Sequence, residues 1–313
     1  MPELPEVETI VRDLRRLVVG KRIAGFVSEW PRLTEPEPPS LVAERLIGAR
    51  IIGTRRRGKF AVLDLDTGES LVISLRMTGQ LLSRDAGAPQ DRFVRARISF
   101  ADGGELRFAD IRKFGRFLLV PSDRIVEPRD AEGRRDGAPL HERLGPEPLS
   151  RSFTVERLAG MLGARPRAQL KPLLLDQTFI AGIGNIYANE ALFRARVHPL
   201  RRAGELSPTQ VRSLHQGIRD ALRRGVSLRG ASIDDYRDAR GRKGRMHREF
   251  LAHGREGEPC PRCGRPIRKS YVGGRGTYWC ASCQRAPRRR SVTSRRTARR
   301  RPGARAVAHL TAR

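Results

Sequence analysis

The sequence has 313 residues, of which 63 are lysine or arginine and 34 are aspartate or glutamate, giving a formal net charge of +29. This length accommodates about two domains, and a hydrophobic fraction of 38% excludes a chain that is disordered throughout. No apolar run approaches the roughly 18–20 residues that span a bilayer, and the N-terminus lacks the order of a secretory signal. The composition predicts a soluble intracellular protein that binds a polyanion, with nucleic acid favoured over an anionic membrane surface.

The first 121 residues combine one helix with many short strands. From Glu6 to Val19, apolar residues recur every three or four positions, which predicts an amphipathic helix with Pro5 in its first turn and Gly20 after its end. Short β-type segments separated by Gly, Pro and Asp follow. They are Ile23–Val27, Ile51–Arg55, Phe60–Leu65, Ser70–Leu75, Arg95–Phe100, Glu105–Phe108 and Gly115–Val120. Residues 1–121 are therefore predicted to form an antiparallel β-sandwich domain that begins with a helix.

The remainder of the chain divides into four segments of different composition. Residues 122–150 are polar, rich in Gly and Pro, and without sustained periodicity, which predicts an interdomain linker. Residues 151–253 regain helical periodicity. Their predicted helices are Phe153–Leu162, Arg167–Leu175, Ile186–Arg194 and Ser207–Arg224. Residues 254–284 hold every cysteine, and residues 285–313, rich in Arg without an acidic residue, are predicted to be a disordered basic tail that tethers the protein to DNA.

Two cysteine pairs predict a metal site. Cys260 and Cys263 form one CxxC pair, Cys280 and Cys283 form the other, and sixteen residues separate the pairs. This spacing is typical of tetrahedral zinc, because each CxxC places two thiolates on one side of the ion and a hairpin brings the second pair opposite. Four thiolates leave no position for water, so one structural Zn²⁺ is predicted rather than a catalytic ion. Four reduced buried thiols are the alternative.

The residue after the initiator methionine carries the main chemical signal of the N-terminus. Because Pro2 follows it, Met1 is expected to be removed, which exposes a secondary amine that is partly unprotonated at neutral pH. Such an amine can attack an electrophilic carbon and form an iminium without a separate base. One or both of the nearby carboxylates, Glu3 and Glu6, could protonate an oxygen of the reacting group. The alternative is an ordinary helix start whose acidic residues complement the macrodipole.

The opening Met1–Thr9, MPELPEVET, closely resembles the N-terminus of bacterial formamidopyrimidine-DNA glycosylases, which repair oxidised bases. Segments similar to further motifs of that family follow in the same order. They are RRGKF at 56–60, RMTGQL at 76–81, DIRKFGRF at 110–117, LGPEPL at 144–149, DQTFIAGIGNIYANEALF at 176–193, GREGEPC at 254–260 and the two cysteine pairs. The resemblance implies an α+β fold: an N-terminal helix plus a two-layered antiparallel β-sandwich, then a helical domain with a helix–two-turn–helix and a C-terminal zinc-finger hairpin.

The resemblance implies a bifunctional DNA glycosylase and AP lyase that excises oxidised purines, chiefly 8-oxoguanine and formamidopyrimidines. By that likeness Pro2 is the nucleophile that displaces the damaged base at the sugar C1′ and forms a Schiff base, after which β- and δ-eliminations cut the strand. Glu3 is the general acid and proton shuttle. By the same likeness, Lys59 lies in the catalytic site and contacts a phosphate. Without the resemblance, Lys59 would be interpreted as a solvated charge at a hairpin tip.

A flipped base leaves a gap in the duplex, and the resemblance assigns three residues to it. Phe114 would wedge between bases, and Arg112 would donate to the orphaned partner base, which favours cytosine with its acceptor edge. Met77 completes this set. Outside their motifs, each of the three would be assigned to the core or to the surface.

The resemblance places further DNA contacts in the helical domain and the zinc hairpin. Lys171 matches a family lysine near the lesion. Asn185 matches a phosphate contact and follows a Gly-Ile-Gly turn at a helix N-terminus, which is a ready anion site; by itself Asn185 would be an ordinary N-cap. Arg275 has the corresponding role in the zinc hairpin.

Two segments depart from the family pattern. Many family members have a His-rich stretch where residues 91–97 here read DRFVRAR, so Arg92 or Arg95 is expected to replace a phosphate contact there. Gly230–Gly244 resembles the loop that closes over flipped 8-oxoguanine, but its middle is rich in Arg. The basic tail extends beyond the usual end of the family.

The predicted partner is double-stranded DNA containing oxidised bases, bound by a monomer in the bacterial cytoplasm at the nucleoid and without a membrane. Two other functions compete with this interpretation. One is an endonuclease VIII-like glycosylase for oxidised pyrimidines, and the other is a catalytically silent zinc-containing DNA-binding protein. Met77 and the Arg112–Phe114 pair favour the purine branch, and an intact Pro2 and Glu3 argue against a silent protein.

Overall fold

The computed structural model describes residues 1–125 and 143–286; residues 126–142 of the predicted linker and 287–313 of the predicted tail lie outside them. The helices are α1 (Leu4–Leu17), α2 (Pro39–Leu46), α3 (Val155–Gly163), α4 (Leu170–Leu175), α5 (Asn185–Arg194) and α6 (Pro208–Ser227). The strands are β1 (Ile23–Ser28), β2 (Ile51–Arg57), β3 (Phe60–Leu65), β4 (Glu69–Ser74), β5 (Gln80–Arg84), β6 (Val94–Phe100), β7 (Glu105–Ala109), β8 (Arg116–Pro121), β9 (Arg268–Val272) and β10 (Arg275–Trp279). Short 3-10 helices span Pro31–Leu33, Ala203–Glu205 and Met246–Glu249.

Two four-stranded antiparallel sheets form the N-terminal sandwich. Their strand orders are β1-β6-β7-β5 and β2-β3-β4-β8. Apolar side chains of both sheets share one core with the inner face of α1, as expected when each sheet buries one face. At its centre Phe108 of β7 meets Phe117 of β8 edge to face, with 5.0 Å between ring centroids.

Helix α1 belongs to both halves of the molecule and thereby positions the N-terminus. Its residues Val7, Ile10 and Leu14 are fully buried in the sandwich core, whereas Leu4 lies in the core of the helical part. The Leu4 N–H also donates to the carbonyl of Gly182 at 2.9 Å. The start of α1 is therefore fixed at the junction between the two cores.

The helical part is built around α5 and α6. Ser207 caps α6, because its hydroxyl accepts from the Gln210 N–H at 3.2 Å, as the sequence predicts. Tyr187 of α5 is fully buried and contacts the position where a Cβ on Gly225 of α6 would lie, so a glycine is needed at this crossing. The strands β9 and β10 then form the hairpin that carries the second cysteine pair.

The α+β fold is confirmed, and all the predicted strand segments are present. The sequence missed β5 and α2. Only two residues of β5 and two of α2 are buried, so neither element has enough inward-facing positions to produce a recognisable periodic pattern of apolar residues. The domain boundaries at residues 121, 150, 253 and 284 stay predictions. Among the described residues, no helix combines the length and the apolar character needed to cross a membrane.

Candidate active site

Pro2 is buried at the wall of a cavity of about 230 Å³ that Met1 and Lys59 also line. Lys59 lies in the turn between β2 and β3 and is half-buried. Burial lowers the pKa of the Lys59 ammonium below its ordinary value, although Glu3 and Glu6 act in the opposite direction. The structure thus brings the predicted nucleophile and the predicted catalytic lysine to one cavity.

The turn that presents Lys59 is held by an acidic residue that sequence reasoning missed. Glu147 accepts from the Gly58 N–H at 2.7 Å and pairs with Arg57 at 3.0 Å. It also pairs with Arg56 at 2.7 Å. The signal was present in the LGPEPL motif, but a sequence does not show that this carboxylate lies against a distant turn.

The carboxylate of Glu3 binds the N-terminus of α5. Its two oxygens accept from the backbone N–H groups of Gly184 at 2.8 Å, Ile186 at 2.8 Å and Tyr187 at 3.2 Å. Gly184 ends the Gly-Ile-Gly turn, and Ile186 and Tyr187 lie in the first turn of α5, so these groups form the helix N-terminus for which the sequence predicts a backbone anion site. That prediction is wrong in one respect, because three of the N–H donors bind the protein's own carboxylate rather than a phosphate. Glu3 consequently joins α1 to α5 directly beside the predicted nucleophile.

Glu6 lies one turn further along α1 in a different environment. Its oxygens accept from the Glu3 N–H, the Tyr187 hydroxyl and the Ala231 N–H, each at 2.8 Å. Burial raises the pKa of Glu6 to about 7, with a further rise from the charge of Glu3 and a partial lowering from these hydrogen bonds. At neutral pH the Glu6 carboxyl is therefore divided between its protonated and ionised forms.

The raised pKa of Glu6 predicts a pH-dependent contribution to stability. Between its unfolded pKa of 4.5 and its folded pKa of about 7, the folded state binds more protons than the unfolded state, so stability falls as pH rises. The shift corresponds to about 3 kcal/mol. We expect the free energy of unfolding of the wild type, relative to Glu6→Gln, to decrease by this order between pH 4.5 and 7.5 in denaturant titrations. A difference that does not change with pH would contradict the assignment.

Met77, Arg112 and Phe114 form one exposed cluster. The Arg112 guanidinium lies over the Phe114 ring at 4.6 Å from its centroid, and Arg112 Nη1 is 3.0 Å from Met77 Sδ. Asp110 is buried and holds the segment, accepting from the N–H groups of Arg112, Phe114 and Gly115 at 3.1, 2.9 and 2.8 Å. The three residues assigned to the gap thus lie together, with Arg112 and Phe114 on the loop that Asp110 braces and Met77 on the loop between β4 and β5.

Lys171 does not reach the surface, contrary to the prediction of a DNA contact. It is fully buried, and its ammonium donates to Asn189 Oδ1 and to the Asn185 carbonyl, the latter at 3.3 Å. Asn189 Nδ2 in turn lies 2.8 Å from His253 Nδ1. Burial lowers the pKa of Lys171 to about 7. Lys171 therefore supports the first turn of α5 from inside the protein.

The two predicted phosphate contacts lie near each other. Asn185 is the first residue of α5 rather than its N-cap, which is Gly184. Its Nδ2 donates to the carbonyl of Gly276 in the zinc hairpin at 3.1 Å. Arg275 precedes that glycine and is exposed. The structure therefore joins the helix N-terminus to the hairpin tip.

Residues 91–97, which depart from the family pattern, contain two arginines with different surroundings. Arg95 Nε donates to the Asp110 carbonyl at 2.9 Å and so braces the segment behind Arg112. Arg92 is exposed, with its guanidinium 5.0 Å from the centroid of the Phe93 ring. Arg92 is the more accessible of the two for a phosphate.

The four cysteines have the arrangement of a zinc site. Their sulfur atoms lie within 4.8 Å of one another, with Cys263 and Cys280 at 3.5 Å and Cys260 and Cys283 at 3.9 Å. Tetrahedral Zn²⁺ with Zn–S bonds of about 2.3 Å requires sulfur separations of about 3.8 Å. The donor set therefore fits one zinc ion without a catalytic position.

Comparisons with known proteins agree with this geometry. Residues 1–117 match the family model of the formamidopyrimidine-DNA glycosylase N-terminal domain, residues 144–237 that of its H2TH domain, and residues 257–286 a zinc finger found in FPG and IleRS. A relative from Roseiflexus sp. (strain RS-1) named formamidopyrimidine-DNA glycosylase is 46% identical over 91% of this chain and 100% of its own. The chain belongs to the formamidopyrimidine-DNA glycosylase family. As a member, it is a DNA glycosylase with AP-lyase activity and one zinc site.

Solved structures of this glycosylase family extend the similarity to the fold. A Lactococcus lactis Fpg (MutM) bound to DNA containing N7-benzyl-Fapy-dG is 33% identical, with a TM-score of 0.80 over 91% of this chain and 100% of that chain. The same protein bound to DNA with an abasic site has a TM-score of 0.79 with the same coverage. A curated relative from Herpetosiphon aurantiacus is 42% identical over 91% of this chain.

Loss of one zinc ligand of this glycosylase should weaken DNA binding. We expect Cys280→Ser to lower zinc content below one ion per chain and to reduce affinity for undamaged duplex about ten-fold or more, because the β9–β10 hairpin loses its anchor and Arg275 its position. Zinc analysis and fluorescence anisotropy measure the two effects. Ser282→Ala, in the same knuckle, should retain both properties. Unchanged zinc content and unchanged affinity in the Cys280 variant would contradict this role.

Proposed function

We propose that this chain excises oxidised purines, chiefly 8-oxoguanine and formamidopyrimidines, from double-stranded DNA through a Schiff base on Pro2. The observation that carries this proposal is the position of Pro2, buried at a cavity wall beside Lys59 and directly before the Glu3 carboxylate. The Pro2 nitrogen, freed as an amine when Met1 is removed, and a lysine of lowered pKa line this cavity, and the Glu3 carboxyl group is buried next to Pro2 in the chain. These are the groups that base displacement and elimination require. Met1 lines this cavity too, so its removal enlarges the space around the Pro2 nitrogen.

The reaction follows from these groups. The Pro2 nitrogen attacks C1′ of the flipped nucleotide, the bond from C1′ to the base breaks, and the proton released from the Pro2 nitrogen leaves with the base. Glu3 protonates the ring oxygen as the sugar opens, which converts the adduct to an iminium. The iminium acidifies C2′, so β-elimination breaks the C3′–O bond and a following δ-elimination breaks the C5′–O bond. Hydrolysis then releases the sugar fragment and restores the Pro2 amine.

The duplex is held open and bent by the remaining site residues. Met77, Arg112 and Phe114 fill the gap left by the flipped nucleotide, with Arg112 donating to an opposite cytosine. Asn185 and Arg275 bind phosphates on the flank, and Lys59 binds one next to the lesion. These roles rest on the exposure of the cluster and on the joined tips of α5 and the hairpin.

We further propose that the protein acts as a monomer on lesion-bearing DNA, at the nucleoid of the bacterial cytoplasm. The net charge of +29 supports attraction to DNA. Binding should therefore weaken steeply with salt.

Borohydride trapping on defined duplexes tests the proposal. Borohydride reduces the hydrolysable iminium to a stable amine, so a persistent covalent adduct reports the reacting lesion. We expect strong trapping on 8-oxoguanine opposite cytosine, weaker trapping opposite adenine and on thymine glycol, and none on an undamaged duplex. Preference for thymine glycol would instead support the glycosylase for oxidised pyrimidines. If no duplex formed an adduct, the result would support a catalytically silent DNA-binding protein.

Opposite-base selection is tested separately with Arg112→Ala. This variant should lose the preference for cytosine over adenine, because the donor to the orphaned base is removed.

A further inference from the structure

A cleft of about 510 Å³ lies at the base of the zinc hairpin, next to the cysteines, and is lined largely by arginines. The arginines are Arg196, Arg201, Arg262 and Arg285, and the wall also includes Gln210 and Cys283. Within the described ranges, no aspartate or glutamate lines this arginine cleft. None of the roles assigned to the active site, the gap cluster or the hairpin tip uses it.

Two elements place the arginine cleft away from the proposed DNA contacts. Helix α5 starts at Asn185, a proposed phosphate contact, and Arg196 comes directly after its C-cap. The ten residues of this helix span about 15 Å. Strand β10 runs a similar distance from Arg275 at the hairpin tip to Trp279, which directly precedes the second cysteine pair. The cleft and the proposed phosphate contacts therefore lie at opposite ends of both elements.

Two of the four arginines are held in place by uncharged groups. Arg262 Nη1 and Nη2 donate to the carbonyls of Phe193 and Arg194 at the end of α5, at 2.6 and 3.1 Å. The Arg262 guanidinium also lies 4.6 Å from the centroid of the Phe193 ring. Arg201 Nη1 donates to Gln210 Oε1 at 3.2 Å. These contacts orient two guanidinium groups without removing a formal charge from the cleft.

The positive charge of the cleft has no carboxylate partner among residues 1–125 and 143–286. Arg201 Nε is buried without a hydrogen-bond partner, and the exposed guanidinium of Arg196 has neither a hydrogen bond nor an ion pair in that part of the chain. Arg107 of the sandwich, in contrast, pairs with both Asp91 and Glu105. The sequence from residue 285 onward contains no acidic residue. An anion would satisfy the donors that this cleft leaves without a partner.

The charge of the cleft matches that of a phosphate dianion. A zinc ion bound by four thiolates has a formal charge of −2, and Cys283 brings this charge into the wall. Of the four positive charges of the arginines, two therefore remain. A phosphate monoester carries a charge of about −1.5 to −2 at pH 7 and has three acceptor oxygens. A phosphodiester of the DNA backbone carries only one negative charge.

We propose that the arginine cleft is a second phosphate-binding site, which takes a phosphate dianion that is either free in solution or at the end of a nucleic-acid strand. The planar guanidinium presents a fork of N–H donors that fits phosphate oxygens, and several such forks converge here on one cleft. The site is separate from the lesion-binding cavity, and the inference does not depend on the proposed excision of oxidised purines.

Calorimetric titration of the full zinc-loaded chain with methyl phosphate, at constant ionic strength, tests the site. We expect saturable binding with a Kd on the order of 1 mM. Dimethyl phosphate, which has a single negative charge, should bind about ten-fold more weakly. Arg196→Gln/Arg201→Gln should lower the affinity for methyl phosphate about ten-fold or more. Arg196→Gln alone changes an exposed side chain without a partner, so it should fold normally and have an intermediate affinity.

A charge-matched control and a local signal separate this site from general attraction to a basic protein. Arg157→Gln/Arg212→Gln removes the same charge from exposed positions on α3 and α6 and should bind methyl phosphate like the wild type. In nuclear magnetic resonance spectra, the Arg201 Nε–H signal should shift and saturate with methyl phosphate in the wild type and in this control.

Duplexes with a 5′-phosphate or a 5′-hydroxyl distinguish the two sources of the ligand. Tighter binding of the phosphorylated duplex by the wild type, but not by Arg196→Gln/Arg201→Gln, would assign the site to a strand end. Equal binding of the two duplexes, together with binding of methyl phosphate, would assign it to a free phosphate.

Two results would overturn the inference. The first is wild-type protein that shows no saturable binding of methyl phosphate; if Arg196→Gln/Arg201→Gln also lost zinc, the arginines would serve only to balance the charge of the thiolates. The second is equal affinity for methyl phosphate in the wild type and in Arg196→Gln/Arg201→Gln, which would place the phosphate elsewhere on the surface.

Discussion

Pro2→Gly is expected to lower base excision by about three orders of magnitude or more while leaving affinity for the duplex unchanged. A secondary amine forms an iminium that carries its positive charge permanently, whereas a glycine amine forms a neutral imine that must be protonated before elimination. The ring also fixes the direction of the nitrogen lone pair at the cavity wall. Single-turnover excision and fluorescence anisotropy on 8-oxoguanine duplex measure the two properties.

Two controls isolate the role of the nitrogen. Pro5→Ala alters a proline in the first turn of α1 but leaves the N-terminal amine intact, so excision should be retained. An N-terminal extension that prevents removal of Met1 turns the Pro2 nitrogen into an amide and should abolish excision without loss of binding. Equal losses of binding and excision in Pro2→Gly would mean that Pro2 shapes the fold and does not react.

Glu3→Gln is expected to lower excision of 8-oxoguanine about 10²–10⁴-fold, because the sugar oxygen loses its proton donor. Glutamine keeps the volume of the side chain and one acceptor oxygen, so part of its contact with the N-terminus of α5 persists. At a preformed abasic site the sugar is already able to open, and Pro2 remains able to form the iminium. Borohydride trapping on abasic duplex should therefore be largely retained.

The structural role of Glu3 defines the outcome that would contradict this prediction. Glu3 joins α1 to α5, so a variant that merely loosened this junction would lose excision and abasic-site trapping together. Glu8→Gln makes the same change on α1 at a residue paired with Arg12 and Arg56, and it should behave like the wild type. The contrast between the two substrates separates proton transfer from assembly.

Periodicity was sufficient to predict the elements that bury a full face, and motif spacing was sufficient to predict the metal ligands. The helix at Glu6–Val19 and the two CxxC pairs were predicted because each signal lies within one short segment. The structure adds that α1 is shared between two cores, since Leu4 and Ile10 are buried in different ones. That division depends on the tertiary fold and leaves no local pattern.

The chemistry of buried polar groups was predicted least well. Lys171 was expected at the DNA surface, but the side chain of Asn189, one helix away, provides an acceptor inside the protein. The raised pKa of Glu6 depends on burial beneath residues more than 180 positions away in sequence, such as Tyr187. Sequence spacing carries no information on such contacts, because burial is decided by the packing of distant segments.

For the same reason, the sequence did not predict that Asp238 is a buried carboxylate that pairs with arginines. An arginine-rich segment in a chain of net charge +29 is typical of a solvated surface that attracts DNA. The structure instead pairs Arg229 and Arg242 with one buried carboxylate. Charge composition therefore predicted DNA as the partner, but it did not predict which arginines are free to contact DNA.

Mapping the covalent bond in the trapped complex tests the central claim most directly. Protein reduced with borohydride on 8-oxoguanine duplex is digested, and the peptide that carries the sugar remnant is sequenced by mass spectrometry. We predict a single modified peptide that begins at Pro2, with the remnant on its imino nitrogen and Met1 absent. A remnant on a lysine such as Lys59, or an unmodified N-terminal peptide in the adduct, would contradict the mechanism.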